Sequence, residues 1–420
     1  MLVFIFFSIF ISVRCLRQSS TNLLVLPPPR EIFARGPPLA LKGKFVVRHP
    51  VHPFITSAFD RLNHRIQMQH PQPSSFFVSS QTVLLDLASM DTFLGERTSY
   101  NYSLFVSADG SIRISADSVY GAVYATESLG QLVDTDGEGS LVLSHSHISI
   151  RDGPGFTWRG LMLDSGRRFF PIDVLKNLMD TMLTVKLNVL HLHASDECRF
   201  SVESKLYPNL TASLNGVLGG FYTQDDIRSL VAYGNARGIR IVPEFDIPSH
   251  SRGLRPIKSD GVVFCNEDDT QSQIYGDPNN STLGVLKNLF SEMSSLFPDE
   301  VFHIGADETS ALGPCTVEST FGLERTVLNF LEGSTINKTV AGWEEVLFDA
   351  GAATNKTIVY AWSRHTPQQI IDLGRRAIDS ASGDFYMTSP APPYPGGWQG
   401  FWYDIKTGVK PNSLPMLLGG

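Results

Sequence analysis

Apolar and polar positions change rhythm along the chain. Val83 to Leu87 and Tyr102 to Val106 read as strands. Ala108-Asp109-Gly110 is a hairpin turn, and Ser111 to Ser115 alternates again. Val119, Ala122, Val123, Ala125, Leu129 and Leu132 then recur at helical spacing. Ser140 to Ser144 and His147 to Arg151 read as two further strands. Before them, residues 24 to about 60 are rich in Pro, Arg and Lys, and Leu26-Pro-Pro-Pro-Arg30 reads as an extended entry. Strands with one packed helix predict a small α+β domain over residues 16–155.

From Phe156 the pattern switches. Short apolar strands at Val189–His193, Ile239–Pro243, Val301–Ile304 and Thr357–Ala361 alternate with helical stretches at Val174–Lys186, Thr223–Arg237 and Leu283–Leu296. Gly238 suits the cap of a helix. Strand-helix alternation of this kind predicts an α/β fold, a (β/α)8 TIM-type barrel over residues 156–420.

Composition narrows the class. The 420 residues are 42% apolar and 18% charged, which is globular, and the net charge of −8 without a basic run argues against a nucleic-acid partner. Met1 to Val13 is almost wholly apolar but too short to span a bilayer. It predicts a signal peptide over residues 1–15, with a buried N-terminal strand as the other reading. A secretory destination, secreted or lysosomal/vacuolar, follows. Sequons then begin at Asn101, Asn209, Asn279, Asn280, Asn337 and Asn355, and we expect glycosylation at Asn101, Asn209, Asn280, Asn337 and Asn355. Removal of Cys15 with the signal leaves Cys198, Cys265 and Cys315, hence one pair and one free thiol. No cysteine spacing suits zinc, and neither a metal nor another cofactor is expected.

The chemistry centres on Val301-Phe-His-Ile-Gly-Ala-Asp-Glu308. Gly305 ends a buried strand, and Asp307 and Glu308 stand just past its carboxyl end, where a parallel barrel gathers its reactive groups. Two neighbouring carboxyls there can divide the work of an acid and an ionised partner. The bland alternative is an acidic first turn of a helix.

His303-Ile-Gly-Ala-Asp-Glu308 resembles the His-x-Gly-x-Asp-Glu signature of the β-N-acetylhexosaminidases, glycoside hydrolase family 20. Arg159 to Asp164, His191 to Glu197, Pro243 to His250, Ala341 to Glu345 and Tyr360 to Trp362 resemble further family motifs in family order. The resemblance implies an exo-acting hydrolase that removes terminal β-linked N-acetylhexosamine, the substrate's own 2-acetamido oxygen being the nucleophile. It makes Glu308 the general acid and base and Asp307 the carboxylate that orients the acetamido N–H. Trp343 and Trp362 are implied as walls of the acetamido pocket, and Tyr386 as the donor to the acetamido oxygen. Arg159 is implied to grip sugar hydroxyls, Asp196 to support that side, and His250 to join the catalytic hydrogen bonds. His303 is expected to be structural. A disulfide between Cys265 and Cys315 is likewise implied.

Three positions depart from the family: Leu192 replaces a Trp, Ala194 a larger residue, and Thr388 an acidic or amide one. The family's Trp-x-Glu beyond the final Gly-Gly has no counterpart, so the barrel is expected to lack its C-terminal end, with Met416-Leu417-Leu418 left at an unpaired edge. That keeps open a catalytically impaired glycan-binding or subunit-like relative. A chitinase-like endo-enzyme lacks its Asp-x-x-Asp-x-Asp-x-Glu signature here. As partner the resemblance implies an oligosaccharide or glycoconjugate ending in N-acetylglucosamine or N-acetylgalactosamine. No membrane span is expected, and a homodimer stays open.

Overall fold

The computed structural model describes residues 25–48, 52–72, 76, 78–214, 219–265, 272–310, 315–387 and 408–420. The apolar leader, Cys15 and Thr388 lie outside them. Among the described residues no helix is long and apolar enough to cross a membrane.

The N-terminal part contains β1 (Glu31–Arg35), β2 (Leu39–Ala40), β3 (Lys44–Arg48), β4 (Ser80–Leu87), β5 (Tyr102–Val106), β6 (Ile112–Ala116), β7 (Val133–Thr135), β8 (Leu141–Leu143) and β9 (His147–Asp152). They form a six-stranded sheet, ordered β1-β9-β5-β6-β4-β3, and a small β2-β8-β7 sheet. Helices α1 (Pro53–Gln69) and α2 (Val119–Gln131) pack against each other and the larger sheet. The sequence pattern predicts α2 but not α1, which begins within the stretch rich in Pro, Arg and Lys. Pro53 at the first helical position, a His52 cap and buried Ile55, Ala58, Phe59, Leu62 and Ile66 are the features that mark α1 as a helix.

The second part is an eight-stranded parallel sheet running in chain order. Its strands are β10 (Gly160–Asp164), β11 (Val189–Ser195), β12 (Arg240–Ile247), β13 (Val301–Gly305), β14 (Thr339–Trp343), β15 (Ile358–Ala361), β16 (Arg376–Asp379) and β17 (Leu417–Gly419). Outside or above them lie α3 (Ile172–Thr184), α4 (Asn209–Ala212), α5 (Gln224–Asn235), α6 (Ser281–Leu296), α7 (Val317–Glu332), α8 (Glu345–Phe348), α9 (Pro367–Asp372) and α10 (Ser382–Phe385).

The expectation of an open final edge is corrected here. β17 pairs with β16, and Trp158 N–H donates to Leu418 O at 2.9 Å while Gly160 N–H donates to Gly420 O at 2.9 Å. The eighth strand is therefore present and its edge is paired with the start of the first. Apolar Trp158, Val189, Val242, Val301, Ile358, Ile378 and Leu418 fill the lumen, as a TIM-type interior requires. Behind the catalytic strand, Phe245, Phe290 and Phe302 pack ring to ring at 5.4–6.2 Å. Burying each phenylalanine contributes about 1.5–3 kcal/mol, which holds β13 in place.

Candidate active site

Strand alternation decides which side chains reach the lumen. On β11, His191, His193 and Ser195 face inward, while Leu192 and Ala194 join the core shared with the helices. The two departures from the family pattern on this strand therefore point away from the site. On β12, Glu244 and Asp246 point inward and Phe245 outward.

At the end of β13 the backbone is unusual. Gly305, Ala306 and Glu308 have φ of 71°, 69° and 52°. A side chain on Gly305 would meet Asp246 Oδ1 at 1.7 Å, so glycine alone lets that carboxyl come so close. Left-handed backbone at Ala306 and Glu308 is strain of the kind that collects at functional sites.

His250 gathers the acidic groups. Its Nε2 lies 3.0 Å from Glu308 Oε2 and 3.7 Å from Asp307 Oδ2, and its Nδ1 lies 3.6 Å from Asp196 Oδ1. Burial opposes charge on this ring, but the Asp196 hydrogen bond and the Asp307 charge raise its pKa to about 9. Asp196 also accepts from His193 Nε2 at 2.8 Å. Burial works against its charge, but hydrogen bonds from His193 and His250 hold it well below the usual carboxylate range. Asp307 is raised by burial. Asp246 is raised further, by burial and then by the charges of Asp307, Glu244 and Asp196.

Beneath lies a buried network. Glu244 accepts the Trp343 indole N–H at 2.9 Å and sits 2.8 Å from both His191 Nε2 and His193 Nδ1. Burial works against its charge, but the His193 imidazolium beside it holds its carboxyl well below the usual range. Burial lowers His303 to about 4, so its neutral Nδ1 accepts Gly305 N–H at 3.0 Å. His191, Glu244 and His303 offer atoms within 4.8 Å of one another, the spacing a cation needs.

The aromatic residues come together on the far side. Trp343 and Trp362 meet edge to face at 6.2 Å, and Tyr386 stacks on Trp362 at 6.3 Å. Trp362 donates its indole N–H to Glu345 at 3.1 Å. Cys265 and Cys315 are bonded, tying the loop after β12 to the loop after β13, while Cys198 is free and exposed.

Arg159 is a correction. It precedes β10, at the end of the barrel away from the carboxyls, and donates to Lys186 O, Phe156 O and Tyr124 OH at 2.7–3.0 Å. Its guanidinium is occupied by the junction between the two parts of the chain and cannot reach a sugar at the mouth. Arg167, eight residues on, lies past the other end of β10. It pairs with Asp164 and Asp196 at 2.8 Å each and is half exposed. Glu244, Asp246 and Glu324 were also not singled out by the sequence reading. Glu324 on α7 is fully buried, and burial raises its carboxyl well above the usual range.

The closed parallel barrel with acidic groups at its carboxyl end defines the class. The model of glycosyl hydrolase family 20, catalytic domain, matches residues 156–407. The chain is 31% identical to beta-hexosaminidase subunit A2 of Dictyostelium discoideum over 96% of its own length and 78% of that protein's. It is 32% identical to beta-hexosaminidase subunit beta of Mus musculus over 67% of its length and 56% of that protein's. Among solved structures it resembles the Flavobacterium johnsoniae chitobiase, with a TM-score of 0.76 and 25% identity, covering 94% of this chain and 64% of that one. The chain thus spans little more than half of the mouse subunit and under two thirds of the chitobiase. It belongs to glycosyl hydrolase family 20.

Proposed function

We propose that this protein is an exo-acting β-N-acetylhexosaminidase. Terminal, non-reducing β-linked N-acetylglucosamine or N-acetylgalactosamine would be released with retention through the substrate's own acetamido oxygen. The observation that carries this reading is the grouping of Asp307 and Glu308 on one nitrogen of His250, whose other nitrogen faces Asp196. Such a pair suits one acid and one orienting carboxylate.

Glu308, half exposed, protonates the leaving oxygen and later deprotonates water. His250 donates to it and is itself held by Asp196, so the acid is aimed by a buried chain of charges. Asp307 accepts the acetamido N–H and offsets the positive charge that develops as the ring forms. Trp343, Trp362 and Tyr386 enclose the acetamido group and exclude water, and Arg167 takes the sugar-hydroxyl role first given to Arg159. We further propose passage through the secretory pathway, to secretion or to lysosomes or vacuoles. The six sequon asparagines are all exposed, as glycosylation requires.

The test is hydrolysis of p-nitrophenyl β-N-acetylglucosaminide and β-N-acetylgalactosaminide beside the plain β-glucoside, with the product anomer followed by NMR. Turnover of the acetamido sugars alone, with retention, is expected. Equal turnover of the glucoside, or inversion, would overturn the reading.

A further inference from the structure

The two pocket tryptophans are held in the same manner: each gives its indole N–H to a buried carboxylate, Trp343 to Glu244 and Trp362 to Glu345. A third carboxylate acts on neither ring. Glu344, between Trp343 and Glu345 in sequence, is completely buried. Its Oε2 accepts the backbone N–H groups of Trp362, Ser363 and His365 at 3.2, 3.4 and 3.2 Å. Its Oε1 accepts Arg364 N–H at 2.6 Å. Four consecutive amides thus converge on one side chain, an anion nest whose anion belongs to the protein. Side-chain nitrogens lie farther off: Arg364 Nε stays 3.7 Å away and His365 Nδ1 3.3 Å away.

The other side of the same turn is also tied. Trp362 O accepts Ser382 N–H at 2.7 Å, and Ala361 O accepts Ser380 N–H at 2.9 Å. Ser382 opens α10, which leads to Tyr386, and Tyr386 stacks on Trp362. A line of hydrogen bonds therefore runs from Glu344 through the Trp362 backbone to the segment carrying Tyr386.

We propose that Glu344 is a positioning residue that fixes the turn bearing Trp362 and so sets how tightly the pocket closes on the N-acyl group of the substrate. The inference rests on the hexosaminidase reading and adds to it which residue determines acyl-size selectivity. Ordinary buried carboxylates of this size are offset by a cation; one offset by four amides of a single turn loses its purpose if that turn moves.

The test uses the whole chain with p-nitrophenyl glycosides of N-acetyl- and N-propionylglucosamine. One extra methylene in a fitted pocket costs about 10–200-fold in kcat/KM. Glu344→Gln turns an amide NH2 toward backbone donors and frees the turn. The N-acetyl to N-propionyl ratio should then narrow by about tenfold, mostly through KM. Ser363→Pro removes one of the four donors while keeping the carboxylate, and should narrow the ratio by a smaller factor. If Glu344→Gln fails to fold, Ser363→Pro decides the matter. An unchanged ratio in the variant that decides, even with lower overall activity or Tm, would make Glu344 a fold-holding residue and overturn the proposal. If the unaltered chain turns over neither glycoside, the hexosaminidase reading itself fails and this inference with it.

Discussion

The two ends of the barrel both bury charge, and they do so differently. At the amino end of the strands, charges are matched. Arg240 makes two 2.7 Å bonds to Asp299, and Lys186 meets Asp152 at 2.7 Å. At the carboxyl end, acids outnumber their partners. Asp164, Asp196, Asp246, Asp307 and Glu308 share Arg167, His193 and His250, and protons settle the imbalance. A matched set resists change and contributes to folding. A set with too many acids holds protons that can move, which is what a hydrolase needs.

The largest expected effect breaks the carboxyl end. Glu308→Gln keeps the shape and cannot donate a proton, so turnover of a natural disaccharide should fall about 10²–10⁴-fold, with sugar binding by calorimetry largely kept. A rate within twofold of the unaltered protein would remove Glu308 as the acid. Next comes the amino end. Arg240→Met strands Asp299 without its cation and should cost about 3–5 kcal/mol in urea unfolding. KM should not change, and a raised KM would mean that the two ends are not separable.

The two arginines around β10 sharpen the comparison further. Arg167→Met should lower kcat/KM by about 10–100-fold, the loss of charge-assisted bonds worth about 1.5–3 kcal/mol, with little change in Tm. Arg159→Met should do the reverse, lowering Tm with kcat/KM intact. Exchanged phenotypes would restore Arg159 to the sugar.

The smallest effect is in pH. His250 holds its proton up to about 9 when folded, against 6.5 as a free side chain. Its contribution to stability is whole below about 6.5 and is lost as pH rises through 9. Glu345 runs the same way at lower pH, since burial lifts it from 4.5 to about 7. The folded state is favoured below 4.5 and loses that advantage by 7. The Tm difference between the protein and His250→Asn should therefore shrink between pH 6.5 and 9. A constant difference would place the neutral ring in the folded protein.

How much of this could be read beforehand depends on the kind of signal. The barrel was legible because short apolar strands and helical stretches alternate from Phe156 onward. Asp307 and Glu308 were legible because a glycine after a buried strand marks the turn where reactive groups gather. Arg159 and Arg167 flank one strand, and the resemblance pointed to Arg159 without weighing Arg167. Direction separates them: only the residue after the strand can reach the carboxyl face. Glu244 and Asp246 carried a signal that went unused, two acids alternating within an otherwise apolar strand. Glu344 carried none, because its role depends on four amides that approach from another strand's loop, and a Glu-Glu pair alone resembles a helix start.

The seam between β17 and the start of β10 also bears on synthesis. Thr157 and Leu418, which meet there, are 261 residues apart. At about 5–20 residues per second a ribosome needs roughly 13–50 s to travel that distance. Throughout that interval the first barrel strand is outside or leaving the exit tunnel with its seam partner unmade. The N-terminal part and the βα units through β16 can form in order, but ring closure waits on three residues, Leu417, Leu418 and Gly419. A codon-slowed or stalled message would lengthen the exposure of that one edge more than any other.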